Sequence, residues 1–283
     1  MANKAAESEK MTMALIGKYP WILAVALALA LAEYAWRRSR GRQYDLAQAA
    51  TSLGVALGQA LIRPFSLIVT IAILTFFAGF APWHVPMDRA WGWVLGFFAV
   101  EFAYYWFHRL SHEVAWMWAT HRVHHSATEM VLPAAIRLGW TELLSGGWVP
   151  FVPLVLLGFS PAMVGVLLGV GLIYQYGLHT EAPIRLGPLE WVLNSPSHHR
   201  VHHSRDAEFL DCNYGSMLIV FDRLFGTFRS APQGAKLQFG LVHGGNSANP
   251  FVVALGGWHD LFSRLAEKRG LRERLSIAFG RPR

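Results

Sequence analysis

The stretch HRLSHEVAWMWATHRVHH, residues 108–125, sets the fold and the chemistry of this chain. Its histidines lie four residues apart at the start, and three and four residues apart at the end. Side chains at these spacings occupy one face of a helix, one turn apart. The pentapeptide HRVHH that ends the stretch recurs at residues 199–203. Together the two segments supply His108, His112, His121, His124, His125, His199, His202 and His203. This repeated register predicts a helical site built from imidazoles.

The composition is that of a membrane protein. The 283 residues are 53% hydrophobic and only 15% charged, whereas a soluble domain carries about 25% charge. The net charge of +7 is concentrated partly in RRSRGR, residues 37–42, which is typical of a cytoplasmic flank. No nucleic-acid-binding motif accompanies this charge. The single cysteine, Cys212, excludes an internal disulfide and a cysteine-based metal site.

Long apolar runs predict the membrane spans. The first covers residues 20–36, and the second continues from residue 65 to about Pro82, after a break at Arg63-Pro64. The third, residues 91–107, leads directly into His108. Residues 140–159 and 161–177 predict a hairpin of two spans. We therefore expect an all-α integral membrane protein with about four transmembrane helices, and a fifth, partial helix at residues 45–62.

The order of these spans also predicts where the histidines lie. Every histidine segment falls on the side of the membrane that carries the basic flank, which places a helical cap with the site in the cytoplasm. Residues 258–279 mix apolar and basic side chains in a pattern typical of an amphipathic helix on a membrane surface. With no internal repeat beyond HRVHH and no linker, we expect one domain over residues 1–283, with its core at about 91–228.

The clustered imidazoles predict a site for two metal ions. Neutral imidazole binds iron, zinc, copper and nickel, and one ion with an open position takes three or four protein ligands. The eight histidines, with His179 as a ninth candidate, therefore suit two ions. A closed structural zinc site would normally use four ligands and often cysteine. A zinc protease is excluded because His112-Glu113 lacks a second histidine at Trp116.

Three carboxylates are candidates for supporting or catalytic roles. Glu101 lies inside the third span, seven residues before His108 and on about the same helical face. An ionisable residue in a span is a functional candidate, although a hydrogen bond to a neighbouring helix would also explain it, and both interpretations stay open. Glu113 and Asp211 lie close to histidines in the sequence and are expected to orient imidazoles.

From about residue 91 to 228 the chain resembles the membrane fatty acid hydroxylase / sterol desaturase superfamily. The resemblance lies in three histidine boxes, which are His108-x3-His112, His121-x2-His124-His125 and His199-x2-His202-His203. The segments FAYYWFHRLSHE, YGLHTE and DCNYG are similar to the branch that includes alkylglycerol monooxygenase and bacterial sterol-desaturase-like proteins. The resemblance implies a non-haem centre of two iron ions, a four-span helical fold with a cytoplasmic cap, and support of the site by His179 and Glu113.

The resemblance also implies an activity, with alternatives. The expected reaction is hydroxylation of a fatty acyl, sterol or ether-lipid C–H bond with O2, by a multi-pass protein of the bacterial inner membrane. A desaturase would use the same centre, and a metal transporter would place its histidines within the spans. We expect no fused cytochrome-b5-like domain, and we therefore expect electrons from a separate redox protein or a reduced pterin. Zinc is expected to substitute for iron in isolated protein.

Overall fold

A computed structural model describes residues 20–232, 234–244, 247–268 and 270–282. The regular elements in these residues are helices, accompanied by two isolated β-bridges and no strand, which confirms the all-α class. The chain divides into two compact units, Met1–Tyr44 and Asp45–Arg283. Every predicted site residue belongs to the second unit. The assignment of residues 1–283 to one functional domain stays a prediction.

The helices follow the chain in this order: α1 Pro20–Ser39, α2 Leu46–Ala78, α3 Ala90–Glu113, α4 Ala115–His125, α5 Glu142–Ser145, α6 Val152–Leu156, α7 Pro161–Tyr176, α8 Pro196–His202, α9 Val220–Leu224, α10 Pro250–Ala266 and α11 Leu271–Phe279. Short 3-10 turns lie at Leu132–Ile136, Val149–Phe151, Gly187–Trp191 and Ala207–Phe209. The predicted spans at residues 20–36 and 91–107 lie inside α1 and α3. Both helices run past the predicted ends.

Helix α2 corrects the prediction of a break at Arg63-Pro64. Asp45 caps it, with a carboxylate that accepts the backbone N–H groups of Ala47 and Gln48. The helix then runs unbroken for 33 residues, Leu46–Ala78, with Pro64 in its interior. Proline removes only the hydrogen bond to the carbonyl of Ala60, and a long apolar helix can tolerate the loss of one bond. The separate helices expected at residues 45–62 and 65–80 are therefore one element.

Among the described residues, only α2 is both long and apolar enough to cross a membrane. Only 6% of its most apolar 18-residue window is buried, so this surface is available to lipid. Helix α7 is apolar but has 16 residues. By length and composition the described residues contain one candidate membrane-spanning helix, and the expected four are not confirmed.

The prediction that residues 140–159, the first half of the hairpin, form a single helix is also wrong. Residues 140–159 contain the short helices α5 and α6 with a 3-10 turn between them. Gly146 ends α5 in the left-handed conformation, with φ of 78°, and Pro150 and Pro153 remove donors that a continuous helix needs. The second half is a helix as predicted, α7, where the Ser160 hydroxyl accepts the N–H of Met163 as a helix cap, and its role as a membrane span stays a prediction.

An apolar core beneath the histidines fixes α3 against α6 and α7. Val100 and Ala103 of α3 pack with Val155 of α6 and with Met163 and Val164 of α7. Val155 and Met163 are completely buried, and each contributes about 1.5–3 kcal/mol on the scale of fully buried aliphatic side chains. Because His108 follows this segment on the same helix, the core determines where the first imidazole lies.

A close helix contact joins α10 to α4 and provides a test of the packing. A β-carbon on Gly257 would lie 2.2 Å from the backbone oxygen of Ala119, whereas one on Gly256 would meet no atom within 4 Å. We expect Gly257→Ala to lower the melting temperature by displacing α10, which also carries Trp258. Gly256→Ala is the matched control and should be neutral or stabilising, by up to about 1 kcal/mol, because alanine favours helix. Equal melting temperatures would contradict this account.

The amphipathic segment predicted at residues 258–279 consists of two helices. It covers the end of α10 and all of α11, which begins after Gly270. Phe262, Leu275 and Phe279 are exposed, as expected for an apolar face without a protein partner on that side. Contact of this face with a membrane stays a prediction.

Candidate metal centre

Two consecutive helices bring the first two histidine boxes together. Helix α3 ends at Glu113, and the extended residue Val114 separates it from α4, which begins at Ala115. This one-residue break reverses the chain enough for His108 on α3 to face His121 on α4, with 3.1 Å between their Nε2 atoms. The third box arrives on α8, where the Ser195 hydroxyl caps the helix that carries His199 and His202.

The structure brings all nine predicted ligands together, in two groups that each have ligand nitrogens within 4.8 Å of one another. The five-histidine group consists of His108, His112, His121, His125 and His202. The four-histidine group consists of His124, His179, His199 and His203. The groups adjoin, since the rings of His125 and His203 stack with centroids 4.3 Å apart. The first box contributes only to the five-histidine group, and the second and third boxes each contribute to both groups. No box therefore forms a site by itself.

The hydrogen bonds fix the tautomers of two facing imidazoles. Nδ1 of His124 donates to the carbonyl oxygen of Arg137 at 3.2 Å, and Nδ1 of His179 donates to that of Gln175 at 2.7 Å. A carbonyl only accepts, so both Nδ1 atoms carry protons and both neutral rings present an unprotonated Nε2. These two Nε2 atoms nevertheless lie 3.1 Å apart. A cation between them would turn this unfavourable approach of two lone pairs into coordination.

The five-histidine group shows the same arrangement. Nδ1 of His108 donates to the carbonyl oxygen of Tyr214 at 2.8 Å, and Nδ1 of His202 donates to that of Cys212 at 2.7 Å. The Nε2 atoms of His112 and His202 are buried and have no hydrogen-bond partner within the described part of the chain. Orphaned buried acceptors are costly, and metal binding would satisfy them.

The nitrogens lie close enough together for one ion to bind several of them. In the four-histidine group, Nε2 of His199 lies 3.0 Å from that of His179 and 3.1 Å from that of His203. Nitrogens that each lie about 2.1 Å from one ion are at most about 4.2 Å apart, so these pairs could share an ion. The residues present therefore fit an imidazole-bound transition metal.

Burial keeps the imidazoles neutral. Desolvation, followed by the proximity of other imidazoles, holds the pKa values of His121, His125, His199 and His203 well below their usual range. Burial alone lowers the pKa of His179 to about 4, against a partly opposing hydrogen bond to Gln175. Neutral imidazole is the form that binds metal, so the site is ready for ligation at neutral pH.

One loop orients three of the ligands, and we call residues 211–218 the orienting loop. It supplies the carbonyls of Cys212 and Tyr214 to His202 and His108, and its Asp211 carboxylate lies 3.5 Å from Nδ1 of His112. Asp211 and Asn213 both adopt the left-handed conformation, with φ of 56°, which aspartate and asparagine tolerate better than most residues. These conformations turn successive carbonyls toward different imidazoles.

Two buried carboxylates and two asparagines maintain the orienting loop. The Asp222 carboxylate accepts the N–H groups of Tyr214 and Gly215, and the Glu101 carboxylate accepts those of Met217 and Leu218. Asn194 donates from its side chain to the carbonyls of Gly215 and Ser216 within the loop. Asn213, which belongs to the loop, donates from its side chain to the carbonyls of His198 and Arg229 outside it. The loop is thus fixed by groups that are themselves buried.

The predicted carboxylates therefore occupy three different positions. Asp211 faces the predicted ligand His112. Glu101 accepts hydrogen bonds from the orienting loop, and not from a neighbouring helix as the hydrogen-bonded interpretation expected. Glu113 pairs with Arg109 at 3.2 Å and with Arg281 at 3.5 Å, and has no hydrogen bond to a histidine among the described residues. These contacts favour positioning roles for Asp211 and Glu101, whereas the expected orientation of an imidazole by Glu113 stays a prediction.

Sequence reasoning missed Asp222 and Arg137. Asp222 is completely buried and accepts hydrogen bonds from residues close to it in the sequence. The only sequence signal that could have identified it is the segment DCNYG followed by FDRLFGTF. Arg137 is also completely buried, and its guanidinium donates to Ser52, Ser126 and Gln48. It secures the carbonyl that accepts from His124, and no local pattern predicts these partners.

Asp222→Asn tests the orienting loop. The amide keeps the volume but places an N–H₂ group opposite a backbone donor, so one of its loop contacts is lost. We expect metal affinity or activity to fall about 10- to 100-fold, the usual cost of losing a group that orients ligands. Metal titration of the purified protein measures the affinity, with the exposed Asp88→Asn as the matched control. Unchanged affinity in Asp222→Asn would show that the loop does not orient the ligands.

Two cavities reach the histidines from different sides. The apolar cavity, of about 310 Å³, is lined by side chains of α2, α3, α4 and α7 and reaches His121, His124 and His179. The basic cavity, of about 530 Å³, reaches His112 and His203. Its wall includes the cationic side chains Arg205 and Arg264 together with Arg122, which pairs with Asp260, and it also includes Asp211. The centre is therefore accessible to an apolar molecule on one side and to a polar or anionic one on the other.

Comparison with known proteins agrees with this site. The family model described as Fatty acid hydroxylase matches residues 93–227. Ornithine lipid hydroxylase OlsE of Rhizobium tropici is 32% identical over 244 residues, which cover 83% of this chain and 71% of that protein. Alkylglycerol monooxygenase of Danio rerio is 38% identical over 87% of this chain, and that of Homo sapiens is 42% identical over 64%.

The extent of these matches differs among the relatives. The chain spans 55% of the Danio rerio alkylglycerol monooxygenase and 39% of the human protein. Cholesterol 25-hydroxylase of Homo sapiens is a more distant relative, 29% identical over 46% of this chain and 48% of that protein. No solved structure matches the chain. The matched residues contain the three histidine boxes and the orienting loop, and the chain belongs to the fatty acid hydroxylase family.

Proposed function

We propose that this chain is a membrane-bound non-haem di-iron oxygenase that uses O2 to hydroxylate a lipid C–H bond. The observation that carries the proposal is the approach of unprotonated Nε2 atoms within two histidine groups at the end of an apolar cavity. The relatives named lipid hydroxylases and monooxygenases support an oxidoreductase that acts on lipids. The fatty acyl, sterol and ether-lipid classes all remain candidate substrates.

Each histidine group would hold one iron ion. Iron bound by imidazoles with open positions supplies the activation of O2, which no side chain can perform by itself. The nine histidines would ligate the ions, and the orienting loop would keep Nδ1 of His108 and His202 protonated and their Nε2 atoms directed inward. Zinc would occupy the same nitrogens in protein prepared without iron.

The side chains that line the apolar cavity would position the lipid and exclude water. Phe107, Ile136 and Leu172 line the apolar cavity and would surround an alkyl chain. Tyr104 also lines it, and its hydroxyl donates to Gln175 at 2.8 Å. Gln175 in turn supplies the carbonyl for His179, so the cavity wall and the metal ligands are connected by direct hydrogen bonds.

Electrons would come from outside the chain, through a separate redox protein or a reduced pterin. The basic cavity offers such a donor a route to the centre that does not compete with the lipid, because it reaches different histidines from the apolar cavity. Family membership and the exposed apolar surface of α2 support a membrane location. We propose a multi-pass protein of the bacterial inner membrane, with the centre on the cytoplasmic side that the basic flank indicates.

Incubation of iron-loaded protein with lipid, reductant and ¹⁸O₂ tests this function. Mass spectrometry of the lipid is expected to show a product that has gained one ¹⁸O atom. A product that has lost two hydrogens without gaining oxygen would identify a desaturase. If the lipids are unchanged while reductant and O2 are present, the oxygenase proposal fails and the metal-transport alternative returns.

A further inference from the structure

Asp222, the carboxylate that accepts two N–H groups of the orienting loop, has no cation beside it. Its side chain is completely buried, and within the described part of the chain it forms no ion pair. A buried charge is costly unless polar groups compensate it. The one side chain that donates to this carboxylate is the Thr227 hydroxyl, which lies 2.7 Å from Oδ1. The positive charge that balances Asp222 must therefore lie beyond Thr227.

A chain of three hydrogen bonds leads from Asp222 to a guanidinium on α3. The Tyr105 hydroxyl lies 3.1 Å from Oγ1 of Thr227, and Nη1 of Arg109 donates to the Tyr105 hydroxyl at 3.2 Å. Tyr105 is completely buried, and its ring stacks on that of Phe225 with centroids 5.2 Å apart, which holds the hydroxyl in place. Asp222 is thus connected to a positive charge through two hydroxyl groups.

The direction of every proton in this chain follows from the chemistry of its two ends. A guanidinium only donates, and a carboxylate only accepts. Thr227 has one hydroxyl proton and gives it to Asp222, so the proton between Thr227 and Tyr105 belongs to Tyr105. The oxygen of Tyr105 then accepts from Arg109. Aligned donors polarise one another, and the chain therefore carries part of the positive charge of Arg109 toward Asp222.

The surroundings of the two charged ends agree with this arrangement. Burial raises the pKa of Asp222, whereas hydrogen bonds from Thr227 and the orienting loop, and more weakly the charge of Arg109, lower it. Arg109 is itself held by Glu113, whose carboxylate lies 3.2 Å from Nε of Arg109. Arg109 directly follows His108 on α3. Helix α3 therefore acts on the loop through its ligand histidine and, separately, through Arg109.

We propose that Arg109 is a positioning residue of the metal centre and acts on the orienting loop through this chain of hydrogen bonds. The chain secures the Asp222 carboxylate that holds the loop, and the loop in turn fixes the Nδ1 atoms of His108 and His202. Both histidines belong to the five-histidine group, so only the ion of that group should depend on Arg109. This role rests on the two-ion centre of the proposed function.

Co²⁺ titration of metal-free full-length protein tests this role without turnover. Imidazole sites bind Co²⁺, whose visible absorption reports its coordination. The unmodified protein is expected to bind about two ions. In Tyr105→Phe and in Arg109→Met, one ion should bind about tenfold more weakly, at the lower end of the usual cost for groups that orient ligands. The other ion should keep its affinity, and its retention shows that the variant is folded.

Thr227 offers a matched pair of variants within the chain. Thr227→Val removes the hydroxyl that donates to Asp222 and should weaken the same ion about tenfold or more. Thr227→Ser keeps a hydroxyl and should bind both ions as the unmodified protein does. Arg185 is exposed and lines neither cavity, so Arg185→Met is the control for Arg109→Met and should leave Co²⁺ binding unchanged.

A double variant tests whether Arg109 acts through Tyr105. Once Tyr105→Phe has broken the chain, Arg109→Met should change Co²⁺ binding by less than about twofold more, because residues of one network are not additive. Effects that add in the double variant would overturn the proposed role. Equal weakening of both ions, or Co²⁺ binding unchanged in both single variants, would also overturn it.

The outcome is separate from that of the oxygenase proposal. If Co²⁺ binding follows the expected pattern while iron-loaded protein oxidises no lipid, the positioning role stands and the proposed reaction fails. If lipid is oxidised while the variants bind Co²⁺ as the unmodified protein does, the reaction stands and the positioning role of Arg109 is wrong.

Discussion

Replacing either His179 or His202 with alanine is expected to abolish lipid oxidation. The two residues belong to different histidine groups, and each contributes an Nε2 atom to its group. Loss of a group that merely orients a ligand costs about 10- to 100-fold in metal affinity or activity, so loss of a ligand should cost more. Because the reaction requires both ions, one damaged group suffices. Product formation with iron-loaded protein, lipid and reductant measures the effect.

The control for these variants is His84→Ala, since His84 is exposed and lies outside both groups. It should retain full activity. Activity that survives in His179→Ala but not in His202→Ala would mean that only the five-histidine group takes part in the reaction. That result would contradict a two-metal centre while leaving a single-metal enzyme.

Removing the metal is expected to make the folded protein sensitive to acid. A ligand that binds only the folded state adds about 4 kcal/mol of stability at a free concentration 1,000 times its dissociation constant, and this gain disappears with each ion removed. The metal-free protein then contains buried neutral imidazoles that face one another. Unfolding monitored by tryptophan fluorescence, with and without a chelator, measures the difference.

The direction of the pH effect follows from the lowered pKa values. An imidazole in the unfolded chain takes up a proton near pH 6.5, whereas burial lowers the pKa of His179 to about 4 in the fold. Between these values the unfolded state binds more protons, so stability is complete above pH 6.5 and falls as the pH drops toward 4. Each such histidine removes about 1.4 kcal/mol per pH unit. Two or three of them would remove a large part of a typical stability of about 5–15 kcal/mol.

Bound metal should protect against this loss, because its ligands cannot be protonated while they coordinate. The metal-loaded protein should therefore stay folded at a pH where the metal-free protein unfolds. If the metal-free protein is equally stable at pH 7 and pH 5, the histidines are already solvated or charged, and the buried neutral centre is wrong.

The ligands could be predicted from the sequence because helical spacing determines which side chains share a face. The division of these histidines into a five-histidine and a four-histidine group could not be predicted from the sequence. His121 and His124 belong to different groups, as do the adjacent residues His202 and His203. Successive residues on a helix point about 100° apart, so one box can serve two ions, but the partners come from helices distant in sequence. His179 lies outside the repeated spacing, and the resemblance of YGLHTE to the family adds support for it as the ninth candidate.

The side chains that support the predicted ligands could not be identified from the sequence either, because their partners are distant along the chain. Glu101 and the backbone N–H of Leu218 are separated by 117 residues, and Arg137 and Ser52 by 85. No local period encodes such contacts. Two helix predictions were wrong near prolines, because Pro64 does not break α2, whereas Pro150 and Pro153 accompany an interruption. Tertiary packing decides between these outcomes.

Metal analysis of protein purified from iron-replete cells tests the two-ion centre most directly. The account predicts about two iron ions per chain, with about one remaining in His179→Ala and about one in His202→Ala. One tightly bound zinc ion per chain, unaffected by either substitution and without a redox response, would contradict it and would indicate a structural or transport role.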